Sequence, residues 1–299
     1  MRVAVVANPT SGKGLGARST ATVLARLQWH GFDVRDVSAS TAGTAWQQAA
    51  AAVAGGLDAL VVVGGDGMAH LGVNACAGTD VALAVVPTGT GNDCARGMSV
   101  PLGDPGRAVD HAAERLKQAG SRALDLGRVQ AGDGTRRWFL GVLSAGFDAL
   151  VNERANSWTW PRGRSRYHLA IARELPRFRP IRYLVELDGE ASQELGMLVS
   201  VANGTSFGGG MRIAPDASWT DGLLDVVVLG PVPTREFLRV FPTVYSGRHV
   251  AHPAVTVRRA RTVSVSTPDR QVVVYADGER VGPTPIRCGV VPSAVRVLA

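Results

Sequence analysis

Short apolar runs alternate with stretches of helical spacing along the first part of the chain. Val3–Ala7, Phe32–Ser38, Ala59–Val63 and Val81–Val86 read as strands. Runs that are apolar throughout suit strands buried on both faces, as in a parallel sheet. Between them, Thr20–His30 puts Val23, Leu24 and Leu27 on one helical face, and the alanine-rich Thr44–Ala54 stops at Gly55-Gly56. A further helix is expected over Arg107–Ala119. Alternation of this kind predicts an α/β half with a mainly parallel sheet. From Ala123 onward the pattern changes to short β-rich runs: Leu124–Val129, Arg137–Val142, Tyr183–Leu187, Met197–Ala202 and Leu223–Leu229, then Thr256–Val257, Val263–Ser266, Val272–Ala276 and Val295–Leu298. Many short strands parted by turn residues predict an antiparallel sandwich. The expected domains are therefore 1–124, α/β, and 125–299, β-sandwich, with a ligand site in the cleft between them.

Two of the apolar runs end in glycine-rich loops. Ala59–Val63 stops at Gly64-Gly65-Asp66-Gly67, and Val81–Val86 stops at Pro87-Thr88-Gly89-Thr90-Gly91-Asn92-Asp93. Loops at the carboxyl ends of parallel strands line the ligand crevice of an open sheet. Glycines let backbone N–H groups close on an anion such as phosphate. Asp66 and Asp93 add hard oxygens of the kind that accompany Mg2+. A single loop of this kind is as often an ordinary strand–turn–helix; two, a strand–helix unit apart, are far more specific.

GGDG followed by PTGTGND resembles the diacylglycerol kinase catalytic-domain family, soluble bacterial lipid kinases related to sphingosine and ceramide kinases. The resemblance implies that Gly64, Gly65, Asp66, Gly67, Thr88, Gly89, Thr90, Asn92 and Asp93 hold ATP. The first loop, Asn8-Pro9-Thr10-Ser11-Gly12-Lys13-Gly14, lacks the upstream glycine and the Ser/Thr of a Walker A sequence. It matches the family's first motif, making Asn8 and Lys13 candidate phosphate-side contacts and Arg18 a weaker one; the alternative is a solvated turn. One departure stands out: Met68 replaces the family's threonine, and His70-Leu71 occupy its Asn-Glu positions.

The resemblance continues towards the C-terminus. Asp125, in LDLGRV, is implied to join Asp66 and Asp93 in a hydrated carboxylate network near Mg2+, although an aspartate at a strand start is often only a turn former. Phe139–Val151 is similar to the family's Gly-Phe-Asp-Ala segment, and Ser144 lacks the GxSxG setting of a hydrolase nucleophile. VANGTSFGGGMRIAPDASWTDGLLDVVVL matches a long family block, implying a structural Mg2+ on the Asp221 carboxylate and the main-chain oxygens of Ser218 and Leu223. In VVVYADGERV, Asp277-Gly278 reads as a tight hairpin turn on composition alone. The resemblance makes Asp277 a catalytic carboxylate accepting the proton of an attacking hydroxyl, with Glu279 helping to hold Mg2+. The two converge if strand geometry persists through the turn.

Charge then narrows the partners. The chain carries 32 Lys+Arg against 25 Asp+Glu, a formal net charge of +7, and Lys13 and Lys117 are its lysines. A basic balance favours polyanions. Without zinc-finger spacing, an aromatic RNA-binding signature or a long basic helix, an anionic membrane surface is preferred over nucleic acid. Trp158–Arg182, rich in tryptophan and arginine, is the candidate contact, against the plainer reading of a solvated helix and loop. Cys76, Cys94 and Cys288 have no CxxC spacing and fit a reducing cytoplasm. MRVAVVANP lacks the apolar core and cleavage site of a secretory signal, and no run reaches the ~20 apolar residues that span a bilayer. The expectation is a cytoplasmic, peripherally membrane-associated, ATP- and Mg2+-dependent lipid kinase, with diacylglycerol first among substrates. A homodimer stays open as an assembly state. The rivals are an NAD kinase-like phosphotransferase, which also carries GGDG, and an inactive lipid-binding relative, which the Met68, His70 and Leu71 departures motivate.

Overall fold

The computed structural model describes residues 1–7, 15–158, 160 and 164–299, with the side chains of 15–18, 164 and 177 left out. The chain forms two compact units, Met1–Leu126 with Pro292–Ala299, and Gly127–Val291. In the first unit the elements are β1 (Arg2–Ala7), α1 (Leu15–Trp29), β2 (Asp33–Asp36), α2 (Ala42–Ala54), β3 (Ala59–Gly64), α3 (Asp66–Cys76), β4 (Ala82–Pro87), α4 (Asp93–Gly97) and α5 (Pro105–Lys117). Strand β5 (Arg122–Ala131) leads on into the second unit.

Strands β2, β1, β3 and β4 pair side by side, all parallel. Every residue of β3 and β4 is buried, which is why both read as unbroken apolar runs. The helices are punctuated as their sequence dictates. Thr41 caps α2 by accepting the Thr44 N–H, and Asp104 caps α5 by accepting the N–H groups of Gly106 and Arg107, with Pro105 opening the helix. Helix α3 lies so close to the sheet that a Cβ on Gly72 would sit 2.5 Å from a Leu83 methyl and 2.8 Å from one of Val62.

The second unit continues with β6 (Arg136–Phe139), β7 (Val142–Gly146), α6 (Phe147–Ser157), α7 (Arg164–Glu174), β8 (Ile181–Leu187), β9 (Glu190–Gly196), β10 (Leu198–Ala202) and β11 (Leu224–Leu229). It ends with α8 (Thr234–Val240), β12 (Val255–Ala260), β13 (Thr262–Ser266), β14 (Val273–Ala276), β15 (Glu279–Pro283) and β16 (Ile286–Val297). One antiparallel sheet runs β12-β11-β10-β7-β14-β15. The other runs β16-β13-β8-β9, with β5 pairing both β16 and β6. Leu143, Ala145, Val199 and Val201 of the first sheet share one core with Tyr183, Val185, Val263 and Val265 of the second. The mixed fold expected from the pattern, a parallel α/β unit followed by an antiparallel sandwich, is the fold observed.

The differences are local. The run Arg137–Val142 is two strands, broken at Leu140-Gly141. Strand β9, EASQELG, is polar and mostly exposed, so no apolar run marks it. The far end of β16 leaves the sandwich sequence behind and pairs parallel with β4, Arg296 opposite Ala82 and Val297 opposite Leu83. Linear order alone puts that strand with the sandwich. The three cysteines are free and buried. Among the described residues no helix is long and apolar enough to cross a membrane.

Candidate active site

The two glycine-rich loops of the first unit are packed on each other. The Thr88 N–H donates to the Gly64 carbonyl (2.9 Å), extending the β3–β4 ladder by one step. Beyond it Gly65 faces Gly89, so closely that a Cβ on Gly89 would lie 2.5 Å from the Gly65 Cα. Asn92, at φ 56°, folds back so that its Oδ1 accepts the Gly89 N–H (3.1 Å) and its Nδ2 donates to the Gly89 carbonyl (2.8 Å). Asn tolerates this left-handed backbone better than most residues. Asp66 Oδ1 accepts the Cys94 N–H (3.0 Å), tying the start of α3 to the start of α4. Asp93 is buried and accepts from Arg96 Nη1 (2.8 Å), while Arg96 Nη2 donates to the Gly91 carbonyl (3.0 Å). Gly67 and Thr90 are exposed. Seven of the expected residues, Gly64, Gly65, Asp66, Thr88, Gly89, Asn92 and Asp93, thus form one hydrogen-bonded double loop. Asn8 and Lys13 lie outside the described residues, and so does the Arg18 side chain.

The departures at 68, 70 and 71 have a structural reading. Met68 bends back over Gly64, where any Cβ would overlap it. His70 is buried, its Nε2 3.3 Å from Asn74 Nδ2 and its ring 6.3 Å from that of Trp46, on the side of α3 that meets α2. Leu71 is buried as well. All three side chains are thus packed within the first unit, Met68 on Gly64 and His70 towards α2.

Asp125 is buried within β5, and its Oδ1 accepts the N–H of Ser293 (2.8 Å), which sits at φ 51°. That bond holds the returning end of β16. Among the described residues no three carboxylate, imidazole or thiol groups stand close enough to ligate one ion, so Asp66, Asp93 and Asp125 do not form a directly ligating set.

In the second unit Asp277 and Gly278 are the two central residues of the β14–β15 hairpin, both with positive φ (51° and 83°), and Ala276 pairs with Glu279. A two-residue turn of this hand is what Asp-Gly predicts. The Asp277 carboxylate accepts three backbone N–H groups: Leu140 on Oδ2 (2.9 Å), Gly141 and Val142 on Oδ1 (2.8 and 3.1 Å). Leu140 and Gly141, in the break between β6 and β7, and Val142 at the start of β7 supply these donors. The other side of the break is held too, because Asn203 Nδ2 and Trp219 Nε1 both donate to the Leu140 carbonyl (3.0 and 2.7 Å). Glu279 is exposed. The left-handed backbone at 277 and 278 interrupts the strand period, so the condition for Asp277 and Glu279 to share a face fails. No sequence pattern announces that three consecutive amides converge on one carboxylate; the nearest signal is the Asn203-Gly204 pair, whose glycine lets Trp219 approach to 2.6 Å of a built Cβ.

The turn around Asp221 is acidic. Asp221 Oδ1 accepts the Leu223 N–H (3.0 Å), and the Ser218 hydroxyl meets Thr220 Oγ1 (3.3 Å). Asp225, buried at the second position of β11, accepts from Arg259 Nε (3.1 Å), but its Oδ2 has no hydrogen-bond partner among the described residues. Burial pushes the Asp225 carboxyl above its usual value, Arg259 pulls it back, and the charges of Asp221 and Asp216 push it up again. A buried orphan oxygen beside the carboxylates of Asp221 and Asp216 is a setting that a hard cation would relieve, although these three do not stand close enough to ligate one ion together.

The same unit contains a narrow apolar cleft of about 80 Å3, lined among others by Phe207, Met211, Ile171, Phe237 and Phe241. Five polar side chains line it, Asp148, Tyr167, Glu236, His249 and His252, and His252 Nε2 lies 2.9 Å from Glu236 Oε1. Asp148 accepts from Ser200 Oγ (3.1 Å) and the Ala149 N–H (2.9 Å), yet burial raises its carboxyl pKa above the ordinary value. Burial raises the Tyr167 phenol and lowers the His249 imidazole, whose Nε2 donates to the Ile213 carbonyl (3.1 Å) and whose Nδ1 is buried without a partner among the described residues. Phe207 and Met211 belong to the loop after β10. Its Ser206 carbonyl lies 3.7 Å from a Cβ built on Gly141, with Asp277 Oδ1 2.8 Å from the same point. Part of Trp158–Arg182 walls this cleft: Ile171 is buried and Tyr167 partly so, whereas Trp160 is 80% exposed. Ala170, Ile171, Glu174, Leu175, Phe178 and Ile181 of that stretch are therefore buried rather than free surface. Arg162 lies outside the described residues.

Residues 2–129 match the diacylglycerol kinase catalytic domain, and residues 141–299 match the YegS C-terminal NAD kinase beta sandwich-like domain. A protein named diacylglycerol kinase from Mycobacterium tuberculosis is 40% identical over 298 residues, covering 99% of this chain and 94% of the relative. The chain belongs to the diacylglycerol kinase family. Another member, the diacylglycerol kinase of Bacillus subtilis, is 29% identical, covering 95% of this chain and 91% of its own. The fold is shared with crystal structures from Bacillus anthracis. One has a TM-score of 0.80 at 20% identity, covering 99% of this chain and 94% of that one. Another, a diacylglycerol kinase, has a TM-score of 0.72 at 18% identity, covering 99% and 96%. Family membership supports a kinase.

Proposed function

We propose that this kinase transfers the γ-phosphoryl group of ATP to the hydroxyl of diacylglycerol, giving phosphatidic acid. The apolar cleft carries the substrate half of the reading. It lies in the unit that holds Asp277, and the 203–211 loop serves both. At about 80 Å3 it is below the ~300–1,000 Å3 of a ligand pocket, so an acyl chain enters only if its walls part. Three of its five polar groups favour a neutral lipid: a carboxyl raised by burial, a raised phenol and a lowered imidazole each lean to the uncharged form, while Glu236 and His252 pair with each other.

The nucleotide half rests on the first unit. The paired loops offer backbone N–H groups and the N-terminus of α3 to phosphate, with Asn8 and Lys13 as further contacts. Mg2+, when bound with the nucleotide, neutralises charge on the transferring phosphoryl group. Asp66 and Asp93 would meet it through water, since each already holds a hydrogen bond, and Asp125 is a more distant member of that network. A second, structural Mg2+ would sit on the Asp221 carboxylate with the carbonyls of Ser218 and Leu223, where the orphan oxygen of Asp225 fits a cation. Asp277, oriented by three amides, would accept the hydroxyl proton, with Glu279 nearby. The protein would work in the cytoplasm and meet its lipid at the membrane surface.

The test is transfer of labelled phosphate from MgATP to a panel of diacylglycerol, sphingosine, ceramide and NAD. Label in diacylglycerol is the expected result. Turnover of NAD without any lipid overturns the lipid reading, and no turnover on the whole panel leaves an inactive binding protein.

A further inference from the structure

We propose a phosphate-binding basin on the sandwich, built by Arg128, Arg136 and Arg287, residues that belong to neither the proposed nucleotide loops nor the apolar cleft. The basin has a volume of about 590 Å3 and is lined by these arginines together with Gln130, Ser264 and Glu186. Sheet register explains how residues so far apart in sequence meet. Arg128 and Gln130 are two apart on β5 and both exposed, with buried Val129 between them, so they share the outer face. On β6 Arg136 stands opposite Gln130, and Trp138 opposite Arg128. On the neighbouring strands Arg287 of β16 stands opposite Ser264 of β13, which in turn stands opposite Glu186 of β8. Strand β5 pairs with β16, which brings the two rows together.

The charges do not cancel. None of the three guanidinium groups has a carboxylate partner among the described residues, whereas other arginines do, Arg182 with Asp269 and Arg258 with Glu194 among them. Glu186 is two strands from Arg287, or about 10 Å at ~4.8 Å per strand. That distance is near the screening length in ordinary salt, so Glu186 neutralises little of the arginine end. Arg128 lies over the Trp138 ring, 5.6 Å from its centroid, which restrains the guanidinium before any ligand arrives. Planar guanidinium forks match phosphate oxygens in pairs, and the Ser264 hydroxyl and Gln130 amide add neutral hydrogen bonds. The ligand class is a phosphate ester, supplied either as a phospholipid headgroup or as a soluble phosphate compound.

The experiment uses the full chain, wild type against R128Q/R136Q/R287Q and against E186Q, with Mg2+ and nucleotide absent. Inorganic phosphate is titrated against chloride at matched ionic strength and the thermal midpoint is read. Flotation with phosphatidylcholine vesicles containing a third phosphatidic acid, against phosphatidylcholine alone, separates the sources. Wild type is expected to gain stability with phosphate beyond chloride. Each arginine is worth about two- to fivefold in apparent Kd, the range of solvent-screened pairs, so the triple variant weakens by roughly tenfold or more. E186Q, which removes a like charge from the rim, is expected to tighten phosphate about twofold, a gain that no folding defect mimics. Arginine-dependent flotation assigns the headgroup as source; arginine-dependent phosphate binding without flotation assigns a soluble ester. A phosphate response identical in wild type and the triple variant, with no change in E186Q and no arginine-dependent flotation, overturns the proposal.

Discussion

Gly65 and Gly89 meet face to face where the two glycine-rich loops of the first unit cross, a Cβ on Gly89 falling 2.5 Å from the Gly65 Cα. The same added carbon would lie 2.9 Å from Asn92 Oδ1, the atom that accepts the Gly89 N–H. Both neighbours are backbone or hydrogen-bonded, so neither yields cheaply. Gly89→Ala is expected to spread the loops and cost about 1–3 kcal/mol, the usual range for overpacking. Thermal unfolding reads the loss of stability, and MgATP affinity should fall with it. A variant with wild-type stability and nucleotide affinity would show that the loops part freely.

This contact marks how far the sequence could be read. Two glycine loops, each after a buried strand, were visible because parallel strands leave continuous apolar runs and their loops need small residues. That the glycines touch each other was not visible, since it depends on the spacing of two parallel strands. By motif Met68 is a missing hydroxyl, yet it packs against Gly64; His70 is a missing amide, yet it packs towards Trp46. Side-chain direction on α3 decides both, and a motif does not carry it. The basin arginines at 128, 136 and 287 belong to three strands whose register is fixed only by folding.

Asp148 makes the sandwich sensitive to rising pH. Burial raises its carboxyl pKa from 3.8 and the hydrogen bonds from Ser144, Ala149 and Ser200 oppose that rise. A carboxyl raised in the folded state stabilises the fold below its ordinary value, and that contribution is lost as pH rises through the raised value. The loss runs at about 1.4 kcal/mol per pH unit within that window. Asp148→Asn keeps the shape and cannot ionise. Its stability relative to wild type is expected to improve steadily with pH above 3.8 until the raised pKa is passed. Parallel pH curves for the two proteins would mean that Asp148 is ionised and satisfied in the fold.

The acidic turn at Asp221 should respond to chelation. Asp216, Asp221 and the half-satisfied Asp225 share one arginine, Arg259, and the surplus charge is what a cation would balance. With Mg2+ present, Asp221→Ala is expected to melt below wild type. EDTA should then lower the wild-type midpoint and leave the variant nearly unchanged. Equal shifts in both proteins would remove the ion from this turn.

Asp277 raises the sharpest question, because the same carboxylate is a candidate base and a structural clamp. Its oxygens take the N–H groups of Leu140, Gly141 and Val142, and through Leu140 they steady a turn that Asn203 and Trp219 hold from the other side. Asparagine offers one acceptor oxygen and turns an NH2 group towards an amide donor. Asp277→Asn is therefore expected to cost about 1–3 kcal/mol of stability, the penalty for a polar group left unsatisfied. The catalytic role makes a second, separable demand. A general base contributes about 10²–10⁴-fold, so turnover with saturating MgATP and lipid should fall by that factor at temperatures where the variant stays folded. Asp66→Asn serves as the comparison, since its effect should include weaker MgATP binding. The two readouts part the two roles. If Asp277→Asn melts early yet turns over at the wild-type rate while folded, the carboxylate is a clamp alone. The base must then be another carboxylate, and Glu279, exposed one residue past the turn, is the next to replace.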